Sequence, residues 1–230
     1  MQFNPSKCYV MHITNTKSQQ HHDYQLCNQT LSVVKSHPYL GVHLQDDLGW
    51  STHIGHVTSK ASRMLGVVRR NLYNCPESVK ETAYFSLVRP HTEYASVVWD
   101  PYQKNDKKRV ERIQRSAARF VKSNYQRTKG TVTSLLNDLG WQSLEDRRRA
   151  ARLTTMYKIV NDEVDIPSDR YLTPVTRLSR HSNSQSFIQH HCRLQSHKFS
   201  YFPRTIPEWN SLPETTVKAT STQAFKSQLQ

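Results

Sequence analysis

The chain is 230 residues long and carries 32 Lys and Arg against 18 Asp and Glu, a formal net charge of +14. With 36% hydrophobic and 22% charged residues its composition is neither disordered nor membrane-embedded, and its length allows one large domain or two small ones around a buried core. The excess of cations points to polyanions, nucleic acid first and acidic membrane surfaces second.

Residues 1–13 hold no signal-peptide-like apolar run, and no stretch approaches transmembrane length. Cys8, Cys27, Cys75 and Cys192 form no CxxC pair and no disulfide framework. A reducing, intracellular setting fits, neither secreted nor membrane-bound, with nucleus and cytoplasm both open.

In chain order, residues 1–48 read as short strands and turns. CYVMHIT (8–14) alternates as a strand, the polar tract 15–23 is a hairpin-sized loop, and QLCNQTLSVV (25–34) offers two strands around Asn28. Residues 39–44 make a further strand, opened by Pro38 and closed by an acidic turn at Asp46 and Asp47. The sheet lacks an opening strand and a covering helix, as in a fragment.

Helices follow. Ile54, Val57, Ala61, Met64, Val68 and Leu72 form one stripe, with Ser51 or Thr52 as the expected cap. A second helix is expected from Pro76, burying Val79, Ala83 and Leu87, kinking near Pro90 and running on to Trp99. The central helix lies in QKNDKKRVERIQRSAARFVK (103–122), with Asp106 as the expected N-cap. Its apolar residues Val110, Ile113, Ala117, Phe120 and Val121 share one face, and Lys108, Arg112, Arg115, Arg119 and Lys122 share the opposite one. From Lys104 to Lys129 ten Lys and Arg stand against Asp106 and Glu111 alone. An ordinary solvated helix mixes its signs. The candidate function of this face is phosphate tracking, weighed against a merely solvated charged face.

A short helix over 131–139 is expected to stop at Gly140, and Ser143 to Asp146 resembles a capping box for a helix reaching Val160. That helix carries Arg147, Arg148, Arg149 and Arg152 early in its length, and the triplet Arg147 to Arg149 reads as a solvated face, or as a weak nuclear-localisation patch. Past Asp165 the composition shifts to Pro, Ser, His and Thr. Strands are expected at 186–188 and 199–202, an aromatic turn at 206–212 and a terminal helix from Phe225. This tail has aromatics enough to dock on the helices but hardly to fold alone. The fold class is α+β, in three parts: strands over 1–48, a mostly α-helical region over 49–162, and a short irregular or β extension over 163–230.

Six segments then carry a resemblance: NPSKC (4–8), YLGVHLQDDLGWSTHI (39–54), LVRPHTEYASVVWDP (87–101), ERIQRSAARFV (111–121), LGWQSLEDRRRAARL (139–153) and FPRTIPEWNSLP (202–213). In this order they resemble the C-terminal part of the reverse transcriptase of LINE-type non-LTR retrotransposons, across nearly the whole chain. The resemblance implies the last strand region of the polymerase palm at 4–14, with Lys7 near the incoming nucleotide's pyrophosphate. Tyr39, Leu40 and Gly41 match the hairpin that grips the primer end. Residues 49–162 match the helical thumb that holds template and primer, and 163–230 a family-specific extension. The implied partner is an RNA–DNA hybrid or duplex, bound with little sequence preference.

The departure from the family lies in the chemistry. Fingers and catalytic palm would precede Met1, which matches an internal residue of the family, and the metal-binding aspartates would precede it too. Two-metal polymerisation needs carboxylates holding ions about 3.5–4 Å apart. Asp46 and Asp47 do not qualify, because Leu44-Gln45 precedes them where the family's signature has a tyrosine and a small residue. No catalytic residue, cofactor or metal is therefore expected. The chain reads as at most a non-catalytic nucleic-acid-binding module whose missing polymerase half belongs to the parent protein. Its alternatives are a translated remnant without function and a mis-started part of a full enzyme.

Other patterns are weak. His190, His191, Cys192 and His197 match no zinc spacing, His21-His22 reads as loop, and no Walker, GxSxG or GxGxxG pattern occurs. Trp50, Trp99, Trp141 and Trp209 are expected as core or capping residues before base-stacking ones.

Overall fold

The computed structural model describes residues 4–14, 22–177 and 183–229. It mixes helix and strand, and the chain divides into two units, Met1–Val57 and Thr58–Gln230. His21 and most of the expected loop at 15–23 lie outside the described residues.

Among the described residues of the first unit every sheet has two strands. β1 (Tyr9–Val10) pairs in parallel with β4 (Ser32–Val33), and β2 (Gln25–Leu26) pairs antiparallel with β3 (Gln29–Thr30). The strand expected over 8–14 shrinks to β1. Cys27 and Asn28 join β2 to β3 with φ of 50° and 60°, the backbone of a two-residue hairpin whose twist matches its strands. β5 (Ser36–Tyr39) and β6 (Val42–Gln45) form a second hairpin. The single strand expected over 39–44 is therefore corrected. Leu40 and Gly41 turn the chain at φ 47° and 82°, a conformation glycine adopts without steric cost and leucine does not.

Beyond β6, Asp47 Oδ1 accepts the Gly49 N–H at 2.7 Å, which closes the acidic turn. Helix α1 (Ser51–Asn71) starts with Gln45 Oε1 accepting the Thr52 N–H at 3.1 Å. Within this unit His53 is 2% exposed and its Nδ1 accepts the His43 N–H at 3.2 Å. The rings of His43 and His56 stack at 3.9 Å and 5°. Burial pushes the His53 imidazole down to about 4, helped by the neighbouring His43 and His56.

The second unit opens with the rest of α1, which sends Ala61, Leu65 and Val68 into a core with Tyr84, Val88, Ile113, Ala117, Phe120 and Val121. α2 (Glu77–Ala83) starts one residue after the expected Pro76, which is its extended N-cap, then widens into a π-turn over Tyr84–Val88 before α3 (Arg89–Glu93). Tyr84 O accepts the Arg89 N–H, five residues on. Pro90 offers no N–H and its ring crowds the carbonyl four residues back, and a wider turn relieves both problems.

The expected face is corrected here: Lys80, Tyr84 and Val88 are buried, whereas Val79 and Leu87 are 43% and 48% exposed. Lys80 is tolerated inside because its ammonium donates to Ser123 Oγ at 2.9 Å and lies 5.2 Å from the Phe120 ring centre. The helix does not reach Trp99. Tyr94 turns extended and Ala95 takes φ 49°, so α4 (Ser96–Trp99) is separate.

α5 (Lys104–Val121) and α6 (Thr131–Asp138) come next, and Gly140 at φ 63° ends α6 as expected. Ser143 caps α7 (Leu144–Val160) by accepting the Asp146 N–H at 3.0 Å. The extension, expected as irregular or β, is mainly helical: α8 (Gln195–Lys198), α9 (Tyr201–Asn210), α10 (Glu214–Val217) and α11 (Thr222–Gln228). Of the strand expected at 186–188 only a bridge from Phe187 to Pro174 forms. The expected strand at 199–202 and aromatic turn at 206–212 give way mainly to α9, because Ile206 and Trp209, both fully buried, need one helical face despite Pro207. The tail docks as expected: Leu153, Met156, Tyr157 and Ile159 of α7 share a core with Phe187, Ile206, Trp209, Val217 and Phe225.

Candidate nucleic-acid interface

α5 divides its side chains as its spacing requires. Val110, Ile113, Ala117, Phe120 and Val121 are buried, and Lys108, Arg112 and Arg115 are exposed on the far face. Lys104 falls in the same sector at 100° per residue and is exposed too. It extends the ridge by one turn, and the charge count already held the signal. Asp106 is not the N-cap. Gln103 occupies that position, and Asp106 sits in the first turn, 5% exposed, paired with Arg109 at 3.0 Å.

The two acids of α5 are thus engaged away from the ridge. Glu111 Oε1 accepts the Glu145 N–H at 2.8 Å and so satisfies the N-terminal turn of α7. Burial raises the Glu111 carboxyl, opposed by the charge of Arg148 and by the amides of Glu145 and Leu144. Among the described residues Lys104, Lys108 and Arg112 have no ion pair, and Arg115 feels Glu111 only through its field.

The C-terminal end of the expected ridge differs. Arg119 is half-buried, with its Nε shielded from solvent, and Lys122 pairs with Glu77 at the start of α2. Carboxylates from other helices relieve this end, which no count along α5 alone could show. The continuous ridge therefore runs from Lys104 to Arg115, roughly 16 Å at 1.5 Å per residue.

In the first unit, Lys7 ends an exposed 3-10 turn (Pro5–Lys7) capped by Asn4 Oδ1, which accepts the Ser6 N–H at 3.1 Å. Tyr39 and Leu40 form the exposed tip of the β5–β6 hairpin, 64% and 75% exposed, beside Gly41.

The arginines of α7 require the largest correction. Arg148, expected on a solvated face, is 1% exposed, and Arg152 is 3% exposed. Asp100 Oδ1 accepts from Arg148 Nε at 2.8 Å, and its Oδ2 accepts from Arg152 and from Arg204 Nη2 at 3.0 Å. Glu208 Oε1 accepts from Arg152 Nη2 at 2.6 Å, and its Oε2 from Arg149 Nε at 3.2 Å. Arg147 clamps both oxygens of Glu93. A buried charge persists only with partners of this kind. The group joins α4, α7 and α9 and is structural.

Aromatic roles follow expectation. Trp99 and Trp209 are fully buried, and half-buried Trp141 stacks on Tyr84 at 4.6 Å while its Nε1–H donates to Glu81 at 2.7 Å. His190 Nε2 lies 3.1 Å from Tyr171 O. Among the described residues no group of three or more His, Cys, Asp or Glu is placed to hold a metal ion, and no helix is long and apolar enough to cross a membrane. Comparison of the chain with protein-family models, curated proteins and solved structures found no match.

Proposed function

We propose that the exposed face of α5 is a phosphate-tracking surface, and that the chain binds RNA–DNA hybrid or duplex nucleic acid with little sequence preference. The observation that carries this reading is the cationic run Lys104, Lys108, Arg112 and Arg115 on a helix whose two acids, Asp106 and Glu111, are committed to Arg109 and to the N-terminal turn of α7. A helix face of one sign binds backbone phosphates with release of their condensed counterions and reads no base edge. The resemblance to the thumb of LINE-type reverse transcriptases supports the same reading. On it, the chain is the C-terminal part of such an enzyme and holds template and primer without catalysing. The two-stranded sheets of the first unit favour a second reading beside it, that the segment works within a longer polymerase whose strands they extend. A translated remnant without function is the remaining alternative and predicts no binding.

Salt titration of duplex binding tests the proposal. Four phosphate contacts give a slope of log K against log salt of roughly −4. Replacing Lys108, Arg112 and Arg115 together by Gln lowers affinity on every sequence alike and reduces that slope by about three. The charge-matched control replaces Lys60, Arg63 and Arg70 of α1, all exposed. Equal loss in both triple variants returns the binding to diffuse electrostatics, and no loss in the first removes the ridge from the interface.

A further inference from the structure

α7 carries a second surface feature that the ridge does not use. Arg147, Ala150, Ala151, Thr154 and Lys158 recur at three- and four-residue steps and so share one face. Because the middle of this face is small, it leaves an open groove of about 430 Å³, floored by Val97, Ala150 and Ala151 and edged by Lys158 and Lys226. No acidic side chain lines it. Arg147 pairs with Glu93, which Arg89 also approaches at 3.7 Å, so the two lysines are the cations of the first groove that have no carboxylate partner. Neither has an ion pair among the described residues. Thr154 lines the groove at 7% exposure, and its hydroxyl has no hydrogen-bond partner among the described residues. Thr154 Oγ1 is not one of the solvent-shielded unpartnered atoms, so the hydroxyl opens to the groove, where water or a phosphate oxygen can accept from it.

A second cavity of about 240 Å³ adjoins the first, since Gln142 and Arg147 line both. Its walls include Phe85, Trp141 and Arg89, with the Arg89 guanidinium 4.1 Å from the Phe85 ring centre. Flat aromatic and guanidinium surfaces stack nucleobases without regard to sequence, and ammonium groups further along a groove meet phosphates. From Arg147 to Lys158 the helix rises roughly 16 Å, a span suited to a short run of strand more than to one base with its phosphate.

We propose that these adjoining cavities form a site for single-stranded nucleic acid, with a base against Trp141, Phe85 and Arg89 and backbone phosphates at Thr154, Lys158 and Lys226. The site is separate from the α5 ridge and does not depend on it. Splayed bases reach the aromatic walls only when unpaired, so duplex is not its ligand.

The test is fluorescence anisotropy of a labelled short oligo(dT) with the full chain at low salt. The double variant Lys158→Gln/Lys226→Gln, at one half-buried and one exposed lysine, binds the single strand about tenfold more weakly, and its salt slope falls by about 1.4. Its duplex affinity stays unchanged. Thr154→Val, which keeps the shape and removes the hydroxyl, weakens single-strand binding about threefold. Conversely, the Lys108/Arg112/Arg115 triple variant retains single-strand binding, so the two sites fail independently. Wild-type oligo(dT) affinity in the double variant overturns the proposal. So does displacement of the oligonucleotide by poly-glutamate as readily as by unlabelled oligo(dT), which reduces the groove to a general polyanion surface.

Discussion

α5 and α7 are both arginine-rich helices of similar length, yet they use their cations in opposite ways. On α5 Lys104, Lys108, Arg112 and Arg115 stand across the helix from the apolar stripe and remain in water. On α7, Arg148 and Arg152 continue the line of Met156 and Ile159, so the apolar side that enters the core carries guanidinium groups with it. Asp100 and Glu208 meet them there. A run of arginine is therefore not a surface feature by itself. Its angle to the apolar stripe decides whether it faces a ligand or a carboxylate.

The contrast breaks most readily at Asp100. Asp100→Asn leaves Arg148, Arg152 and Arg204 without their shared anion and costs about 3–5 kcal/mol in urea unfolding. A loss below about 1 kcal/mol shows instead that the cluster is hydrated and acts like a surface. Acid sharpens the contrast next, through His53 and His43 of the first unit. His53 is held at about 4, facing His43 and His56, and His43 is lowered by burial and by His56 and His37. Between the unfolded value of 6.5 and the folded one the unfolded chain binds more protons. The stability linked to His53 is complete above pH 6.5 and is lost as pH falls toward 4. Proteolysis at pH 5 therefore cuts near the β5–β6 hairpin while the arginine helices of the second unit persist, and equal resistance at pH 5 and pH 7 contradicts this.

Smaller effects follow at the helix start. Ser143→Ala removes the α7 cap and costs about 1 kcal/mol, read as a lower urea midpoint with the m-value unchanged. Smallest is the effect of the α5 ridge on stability: Lys108→Gln, Arg112→Gln and Arg115→Gln each shift it by no more than about 0.5 kcal/mol. A larger change at any of them means that the side chain has a structural partner, as the α7 arginines do.

How far each helix could be read from sequence follows from the same distinction. The two faces of α5, the Ser143 cap, the Gly140 stop and the turn at Asn28 are local, fixed by residues within a few positions of one another. The α7 network is not: Asp100 and Arg204 lie 48 and 56 residues from Arg148 along the chain, and only packing brings the three together. The same holds for Lys122, whose partner Glu77 belongs to another helix. α9 was hidden differently. Pro207 argues against a helix locally, and the burial of Ile206 and Trp209 overrides it. At the β5–β6 hairpin the alternation ran on through Leu40 and concealed a turn that Gly41 permits.

The aromatic contact that joins the tail to α7 also sets an order in time. Tyr157 stacks on Phe225 at 4.6 Å, Trp209 lies 5.9 Å from the same ring, and Phe225 is fully buried. During synthesis the ribosome adds roughly 65 residues after Ile159 before Phe225 exists, a delay of roughly 3–13 s at ordinary elongation rates. Through that interval the nascent α7 presents Leu153, Met156 and Ile159 with much of their cover still unmade, and it is then that a chaperone has most to gain by holding the chain.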